Sequence, residues 1–257
     1  MKISVIVASY NSAKTIRDTF ESILAQTYSD YEVVVKDGGS SDGTVEIIKE
    51  YERKFDGRLK WISEPDLGIY DAMNKGIELS TGDVVGILNS DDFFSADSVL
   101  SRINGEFASN EDISAVYGDV RYVKADDTAK CVRYFSSRYY RPWMARLGFI
   151  VAHPSFYCRR EVFCQYGLYD LDFKVSSDFE MVTRLLYVNR IRAKYLDMDF
   201  VTMRTGGESN SGLESRKRVN RDIRLALKKH GIYSNQILQG LRYIWRIGEI
   251  VYTKLKY

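Results

Sequence analysis

Four short apolar runs, the first three each leading into a segment with apolar residues at helical spacing, restrict what this chain can fold into. The first, Ile3-Ser4-Val5-Ile6-Val7-Ala8, has the pattern of a strand buried on both faces. Ser12 then reads as the cap of a helix with Ile16, Phe20, Ile23 and Leu24 on one side. Residues 31–35 form a second strand, ended by Gly38-Gly39, and a helix from about Thr44 carries Ile48, Tyr51 and Phe55. Residues 59–63 are a third strand, followed by a helix around Ile69, Ala72, Met73 and Ile77. The fourth, 84–88, stops at Asn89-Ser90-Asp91-Asp92. This alternation predicts an α/β fold, a Rossmann-like, mostly parallel sheet flanked by helices on both faces. Such sheets bind ligands outside the carboxyl ends of their strands.

The rest of the chain is less regular. Strands are expected at 115–123, 131–135, 155–158 and 195–203, with a short helix at 160–166 and another headed by Asp178 to about 189. Residues 138–147 read as an aromatic and basic loop. Two helices, roughly 214–230 and 235–255, complete the pattern.

With 257 residues and 45% apolar content, the chain is long enough to bury a substantial core, so general disorder is excluded. Cys131, Cys158 and Cys164 form no CxxC pair and read as reduced thiols. His153 and His230 are the sole histidines, too few for a His-rich zinc centre. No signal-peptide layout precedes the first run, and no window nears 18 consecutive apolar residues. A cytoplasmic protein is the expectation. Net charge is +2, but residues 214–257 hold 11 Lys/Arg against 3 Asp/Glu, a net of +8, leaving −6 on the other residues. A basic tail on an acidic body suggests an anionic partner.

The strand-end clusters carry the chemistry. Asp37, in Lys36-Asp37-Gly38-Gly39, is placed to accept from the N3–H of uracil or thymine, which cytosine lacks; a plain turn explains it equally well. Asp42 reads better as a helix cap. Asp91 and Asp92 offer oxygen ligands for Mg²⁺ or Mn²⁺, or simply cap the next helix. Asn74 can donate and accept at the ligand end of its helix, while Lys75 reads as a solvated lysine.

In order, VIVASYN (5–11), VVKDGGSSDGT (34–44), SEPDLGIYDAMNKGIELSTGD (63–83) and GILNSDD (86–92) make the chain similar to the family 2 glycosyltransferases with the GT-A fold. The likeness continues more loosely through GFIVAHPSFYCRR (148–160) and GLYDLDFKVSSDFEMVTRLL (167–186) to about residue 210. It implies inverting transfer of one sugar, hexosyl or N-acetylhexosaminyl, from a nucleotide diphosphate, a UDP-sugar by preference, to an acceptor hydroxyl in cell-surface polysaccharide or glycolipid assembly. By position, Ser9, Tyr10 and Asn11 line the base pocket, with Tyr10 stacking on uracil. Asp37 matches the base-binding acid, Asp91 the metal-binding acid with Asp92 beside it, and Asp178 the catalytic base. Asp66, Asn74, Asn89 and Arg204 join the donor site, Arg204 on a loop (204–209) resembling the family's closing loop, and His153 faces the acceptor side. The expected cofactor is Mn²⁺ or Mg²⁺. The implied division is a GT-A domain at 1–213, with a nucleotide-binding half (1–95) and an acceptor-binding half (96–213), followed by a basic amphipathic helical tail at 214–257.

Four positions depart from the family pattern. Asn89 stands for the first Asp of a DxD element, Gly38 for a frequent second acid, and Ser177 for a frequent acid before Asp178. For the late histidine that some relatives give the metal, only His153 and His230 are on offer, and a sugar contact or a structural role is preferred for His153 and a surface helix end for His230. The QxxRW element of processive synthases is absent, so a single addition is expected. Two rivals are a non-catalytic nucleotide-sugar-binding domain and a sugar nucleotidyltransferase. The second needs a glycine-rich loop after the first strand, where Ala8-Ser9-Tyr10-Asn11-Ser12-Ala13 has none. No nucleic-acid module is matched.

In the tail, Leu238, Leu241, Ile244, Trp245, Val251, Tyr252 and Leu255 form a helical stripe flanked by Arg242, Arg246, Lys254 and Lys256. Arg216, Lys217, Arg218, Arg221 and Arg224 lie just upstream. The stripe either packs on the catalytic domain or rests on anionic lipid at the inner face of the membrane, where a lipid-linked sugar acceptor would be found.

Overall fold

A computed structural model of the chain describes residues 1–206 and 212–256; the side chains at 212, 213, 216, 244, 246, 251, 252 and 254–256 fall outside the description. Its strands are β1 Ile3–Ser9, β2 Tyr31–Asp37, β3 Leu59–Ser63, β4 Val84–Ile87, β5 Phe93–Phe94, β6 Ala115–Val123, β7 Cys131–Phe135, β8 Tyr157–Arg159 and β9 Ala193–Arg204. Its helices are α1 Ile16–Leu24, α2 Thr44–Lys54, α3 Ile69–Leu79, α4 Val99–Ser109, α5 Arg160–Tyr166, α6 Ser177–Thr183, α7 Gly212–Lys229 and α8 Gln236–Lys256.

All strands join one sheet in the order β3-β2-β1-β4-β8-β6-β9-β5, with β7 on β6. The first four are parallel, as the β–α alternation required. Beyond β4 the sheet is mixed: β8 runs antiparallel to β4 and β6, β7 to β6 and β5 to β9, while β6 and β9 are parallel.

Alternation along β1 sorts its side chains between two cores. Ile3, Val5 and Val7 pack with α1, α2 and α4, whereas Ile6 and Ala8 pack with α3, α5 and α6. Each fully buried Val, Ile or Phe contributes about 1.5–3 kcal/mol relative to exposure. Gly86 permits the tightest approach across β4: a Cβ there would lie 2.1 Å from the ring of buried Tyr157.

Three local readings change. Ser12 does not cap α1, which starts at Ile16; its carbonyl accepts from Ile16 N–H and its hydroxyl meets Ser90 Oγ at 2.8 Å. Helix α4, with Val99, Leu100, Ile103 and Phe107 buried, and the two-residue β5 were not anticipated. The N-cap of α2 is Gly43 rather than Asp42, which stands one residue earlier and accepts from Thr44 N–H and the Thr44 hydroxyl. The three cysteines are free.

At the amino end of the sheet, Glu32 accepts from Ser4 Oγ (2.6 Å) and Thr81 N (2.6 Å) and pairs with Lys2 (3.0 Å) and Lys60 (3.2 Å). Burial opposes its charge, but these donors prevail and hold its carboxyl down to about 2.

The C-terminal helices pack on the sheet domain. Phe173, Phe179, Ile223, Ala226, Leu227 and Ile232 form a small core joining α6 to α7, and α8 lies against β7 and the 3₁₀ turn Pro142–Leu147. Among the described residues no helix is long and apolar enough to cross a membrane.

Candidate active site

The carboxyl ends of β1, β2 and β3 stand in one row, because Ser9 pairs in register with Asp37 and Asp37 with Ser63. Asp37 is wholly buried at its centre. Oδ1 accepts from Ser9 Oγ (3.0 Å) and Ser40 Oγ (2.5 Å); Oδ2 accepts from Gly39 N (3.0 Å), Ser40 N (2.9 Å) and Ser63 Oγ (2.7 Å). Burial opposes ionisation, but the Ser40 and Ser63 contacts and the remaining donors hold the carboxyl below its usual range. Five protein donors fill both oxygens, so an incoming base would have to displace one of them. Asn11 is likewise committed to this loop: its N–H donates to Ser40 Oγ and its Oδ1 accepts from Ser41 N. Tyr10 alone of the Ser9-Tyr10-Asn11 trio presents an open ring.

Asp66 occupies the space beside that ring. A Cβ on Gly38 would stand 2.9 Å from Asp66 Oδ2 and 3.2 Å from Tyr10 Cδ2. The place of the missing second acid is thus taken by the Asp66 carboxylate. Beneath it lies Lys36, whose buried ammonium donates to the carbonyls of Asp37 (2.7 Å) and Glu64 (2.6 Å) and pairs with Asp66 Oδ2 at 3.5 Å. Sequence reasoning passed over Lys36, although a lone cation in a doubly buried strand was the available signal.

The end of β4 gathers Asn89, Asp91 and Asp92. Asp92 is buried; its oxygens accept from Asn89 Nδ2 (3.2 Å) and Arg204 N (3.3 Å). Burial, then the neighbouring Asp91, push its carboxyl well above the usual range, and burial raises Asp91 too. Asp92 therefore braces the loop, which leaves Asp91 as the carboxylate available to a cation. Among the described residues no three acidic, His or Cys side chains gather as a metal cage. The donor set still suits Mg²⁺ or Mn²⁺, which take one or two carboxylates and leave other positions to water and phosphate. Two carboxyls raised side by side, with Asn89 Oδ1 buried and unpartnered, mark a place short of positive charge.

Arg204 is at the end of β9, buried, with Nη1 on the Asp91 carbonyl (2.6 Å), Nη2 on the Asp18 carboxylate and its guanidinium 5.0 Å from the Phe93 ring. It braces the Asp91 loop rather than riding on a loose segment. Residues 207–209 of the expected closing loop lie outside the described residues.

Asp178 lies in the first turn of α6. Its Oδ1 accepts from Phe179 N (2.8 Å) and faces the Tyr70 hydroxyl at 3.1 Å, which also lies 2.8 Å from the Val175 carbonyl. Tyr70 stacks on Tyr169 with centroids 5.6 Å apart, and Tyr169 O–H meets His153 Nε2 at 2.6 Å. Burial first, then Asp178, push both phenols well above their usual value. Burial pushes His153 below its usual value, against the pull of Asp178. His153 thus joins the Asp178 cluster. Asn74 orders the same region: its amide donates to the Tyr169 carbonyl (2.8 Å) and accepts from Tyr169 N (2.9 Å), so both ends are used within the protein. Tyr70 and Tyr169 were missed, because nothing in their spacing brings residue 70 to residue 178.

Residues 4–166 match the family described as Glycosyl transferase family 2. A PGL/p-HBAD biosynthesis glycosyltransferase of Mycobacterium tuberculosis is 29% identical over 231 residues, covering 88% of this chain and 86% of the relative. An uncharacterized glycosyltransferase of the same species is 32% identical over 189 residues, covering 72% and 69%. Among solved structures, S. aureus TarS 1–349 in complex with UDP-GlcNAc aligns with a TM-score of 0.65 at 20% identity, over 91% of this chain and 68% of that one. The mannosyltransferase PcManGT from Pyrobaculum calidifontis, in complex with GDP-Man and Mn²⁺, aligns at 0.63 with 17% identity, over 99% and 86%. Both structural likenesses are likenesses of fold.

Proposed function

This chain belongs to glycosyl transferase family 2 and has the GT-A fold, and from that premise we propose that it transfers one sugar, with inversion, from a UDP-sugar to the hydroxyl of a sugar or lipid-linked sugar in cell-surface glycolipid or polysaccharide assembly. The transferred unit is a hexosyl or N-acetylhexosaminyl group. The observation that carries this reading is the Tyr70–Asp178 contact. It sets a carboxylate from the second half of the chain against the helix that follows the Asp66 loop.

Tyr10 stacks on the uracil, and Asp66 accepts its N3–H at the position the absent second acid leaves open. This moves the base-reading role from Asp37, which shapes the floor through Ser9, Ser40 and Ser63. Tyr70 and the Phe179 amide both address Asp178 Oδ1, so Oδ2 takes the acceptor's proton. The acceptor oxygen bonds to the anomeric carbon as the bond to the diphosphate oxygen breaks on the opposite face. A divalent cation, Mn²⁺ or Mg²⁺, would offset the charge growing on the departing diphosphate, with Asp91 as its protein ligand. Arg204 holds the Asp91 backbone for that role. Positioning by His153, Tyr169 and Asn74 supplies a preorganised acceptor side.

The test is UDP release from a panel of UDP-hexoses and UDP-N-acetylhexosamines with Mn²⁺ and candidate sugar acceptors. Asp178→Asn should abolish release while UDP still binds by calorimetry. Wild-type protein that binds UDP-sugars but releases no UDP with any acceptor would leave a binding domain instead.

A further inference from the structure

We propose that the chain docks on an anionic lipid bilayer through one face built from loop 138–143 and helices α7 and α8. The observation behind it is that the described side chains of α8 are amphipathic in the reverse sense. Its buried side chains include Gln239, Arg242 and Thr253, while Ile237 (81% exposed), Leu241, Trp245, Ile247 (63%) and Ile250 face outward. Most of the inward polar groups are matched, Arg242 Nε being the exception. Arg242 bonds Asn220 on α7, Glu249 pairs with Arg133 at 2.7 Å, and Thr253 Oγ1 accepts from Tyr134 N at 2.9 Å. A helix held by its polar side presents its apolar side to whatever lies outside.

This exposure is concentrated. Of fifteen large apolar side chains exposed among the described residues, eight fall between Leu225 and Ile250. Two more, Tyr139 (63%) and Trp143 (57%), stand on loop 138–143. The pieces are contiguous: Tyr139 and Trp245 line one shallow cleft, and Trp245 meets the Phe149 ring edge-on at 6.1 Å.

Charge selects the occupant. Lys217, Arg221, Arg224 and Lys228 recur at spacings of four, three and four along the exposed side of α7, and Arg138 and Arg141 are exposed beside Tyr139 and Trp143. Tyr243 joins the two helices at Asn220, 3.2 Å away. A second copy of the chain would bring two such basic faces together, whereas an anionic bilayer offers opposite charge to the basic groups and hydrocarbon to the Trp, Tyr and Ile side chains. Among the described side chains, the basic residues that serve are those of α7 and of loop 138–143. Arg242, expected from the sequence to flank the outer stripe, is turned inward; Ile244, Arg246, Val251, Tyr252, Lys254, Leu255 and Lys256 have side chains outside the described residues.

Binding is read without donor or acceptor, so its outcome is separate from that of the transfer reaction. The full chain is sedimented with vesicles of equal phosphatidylglycerol and phosphatidylcholine at low salt. It should pellet, should pellet about tenfold less at high ionic strength as the charges are screened, and should stay in solution with phosphatidylcholine alone. The combined Lys217→Glu, Arg221→Glu, Arg224→Glu and Lys228→Glu variant should lose binding while keeping its circular dichroism. Should that variant fail to fold, Trp143→Ser, on an exposed loop, should lower binding severalfold by itself. Wild-type protein that ignores the anionic vesicles at low salt overturns the proposal. So does a lipid-free dimer that Ile247→Ser dissolves, since the face would then join two copies.

Discussion

Tyr70 and Asp178, 108 residues apart, meet at 3.1 Å, where the phenol shares its one proton between Oδ1 and the Val175 carbonyl. This contact orients the carboxylate. Tyr70→Phe should lower kcat about tenfold, the scale of one hydrogen bond to a charged group, with the KM for donor unchanged. Asp178→Asn should lower kcat by roughly 10²–10⁴-fold. Turnover of Tyr70→Phe equal to wild type would mean that α6 alone orients Asp178.

Asp66 and Asp37 should separate by calorimetry. Asp66→Asn should weaken UDP binding by about 1.5–3 kcal/mol and leave CDP binding unaltered; it should also lower the melting temperature, because the buried Lys36 ammonium loses its counter-charge. Asp37→Asn turns amide hydrogens toward converging donors and should cost about 2–3 kcal/mol of stability. The reverse pattern would return base reading to Asp37.

Asp91→Ala should remove the dependence of UDP-sugar binding on Mn²⁺, so that adding EDTA changes nothing. Asn89→Asp sets a third carboxyl beside Asp91 and Asp92, both already raised. It should lower the melting temperature in EDTA and make it rise with Mn²⁺ concentration. A melting temperature indifferent to Mn²⁺ in that variant would place the cation elsewhere.

Glu32 gives a pH signature remote from the site. Its folded carboxyl sits at about 2, below its ordinary 4.5, so its stabilisation is complete above the unfolded value and is lost as pH falls through the folded one. Glu32→Gln should therefore lower stability by on the order of 3 kcal/mol at pH 7. Denaturant titrations should show the gap closing between about pH 5 and pH 2. A gap that stays constant over that window would mean that Glu32 acts through packing.

Strands β1–β4 and helices α1–α3 were legible because burial imposes a period on the chain itself. Val5 and Val7 alternate with Ile6 across two cores, and α3 shows its inner face at Ala72, Met73 and Ile77. The ordered strand-end motifs placed Asp37, Asp66 and Asp91 among the candidates for the same reason: a parallel sheet delivers its strand ends to one edge; Asp178, at a helix start, came from the looser likeness over 167–186. Helix α4 was passed over although Val99, Ile103 and Phe107 carry the same period, and the mixed half of the sheet depends on pairings that no local pattern encodes.

Residue chemistry and spacing thus determined which groups reach the carboxyl edge. Tertiary structure decided which of them remain available. Asp37 is filled by Ser9, Ser40 and Ser63; Asn74 is closed on Tyr169; Arg204 is bound to Asp91 and Asp18; and Arg242 is turned inward on Asn220. Asp66, by contrast, stands where Gly38 leaves room. A side chain's capacity for hydrogen bonds is fixed by its type, but whether that capacity is already used depends on neighbours up to a hundred or more residues away, and only the folded chain brings them together.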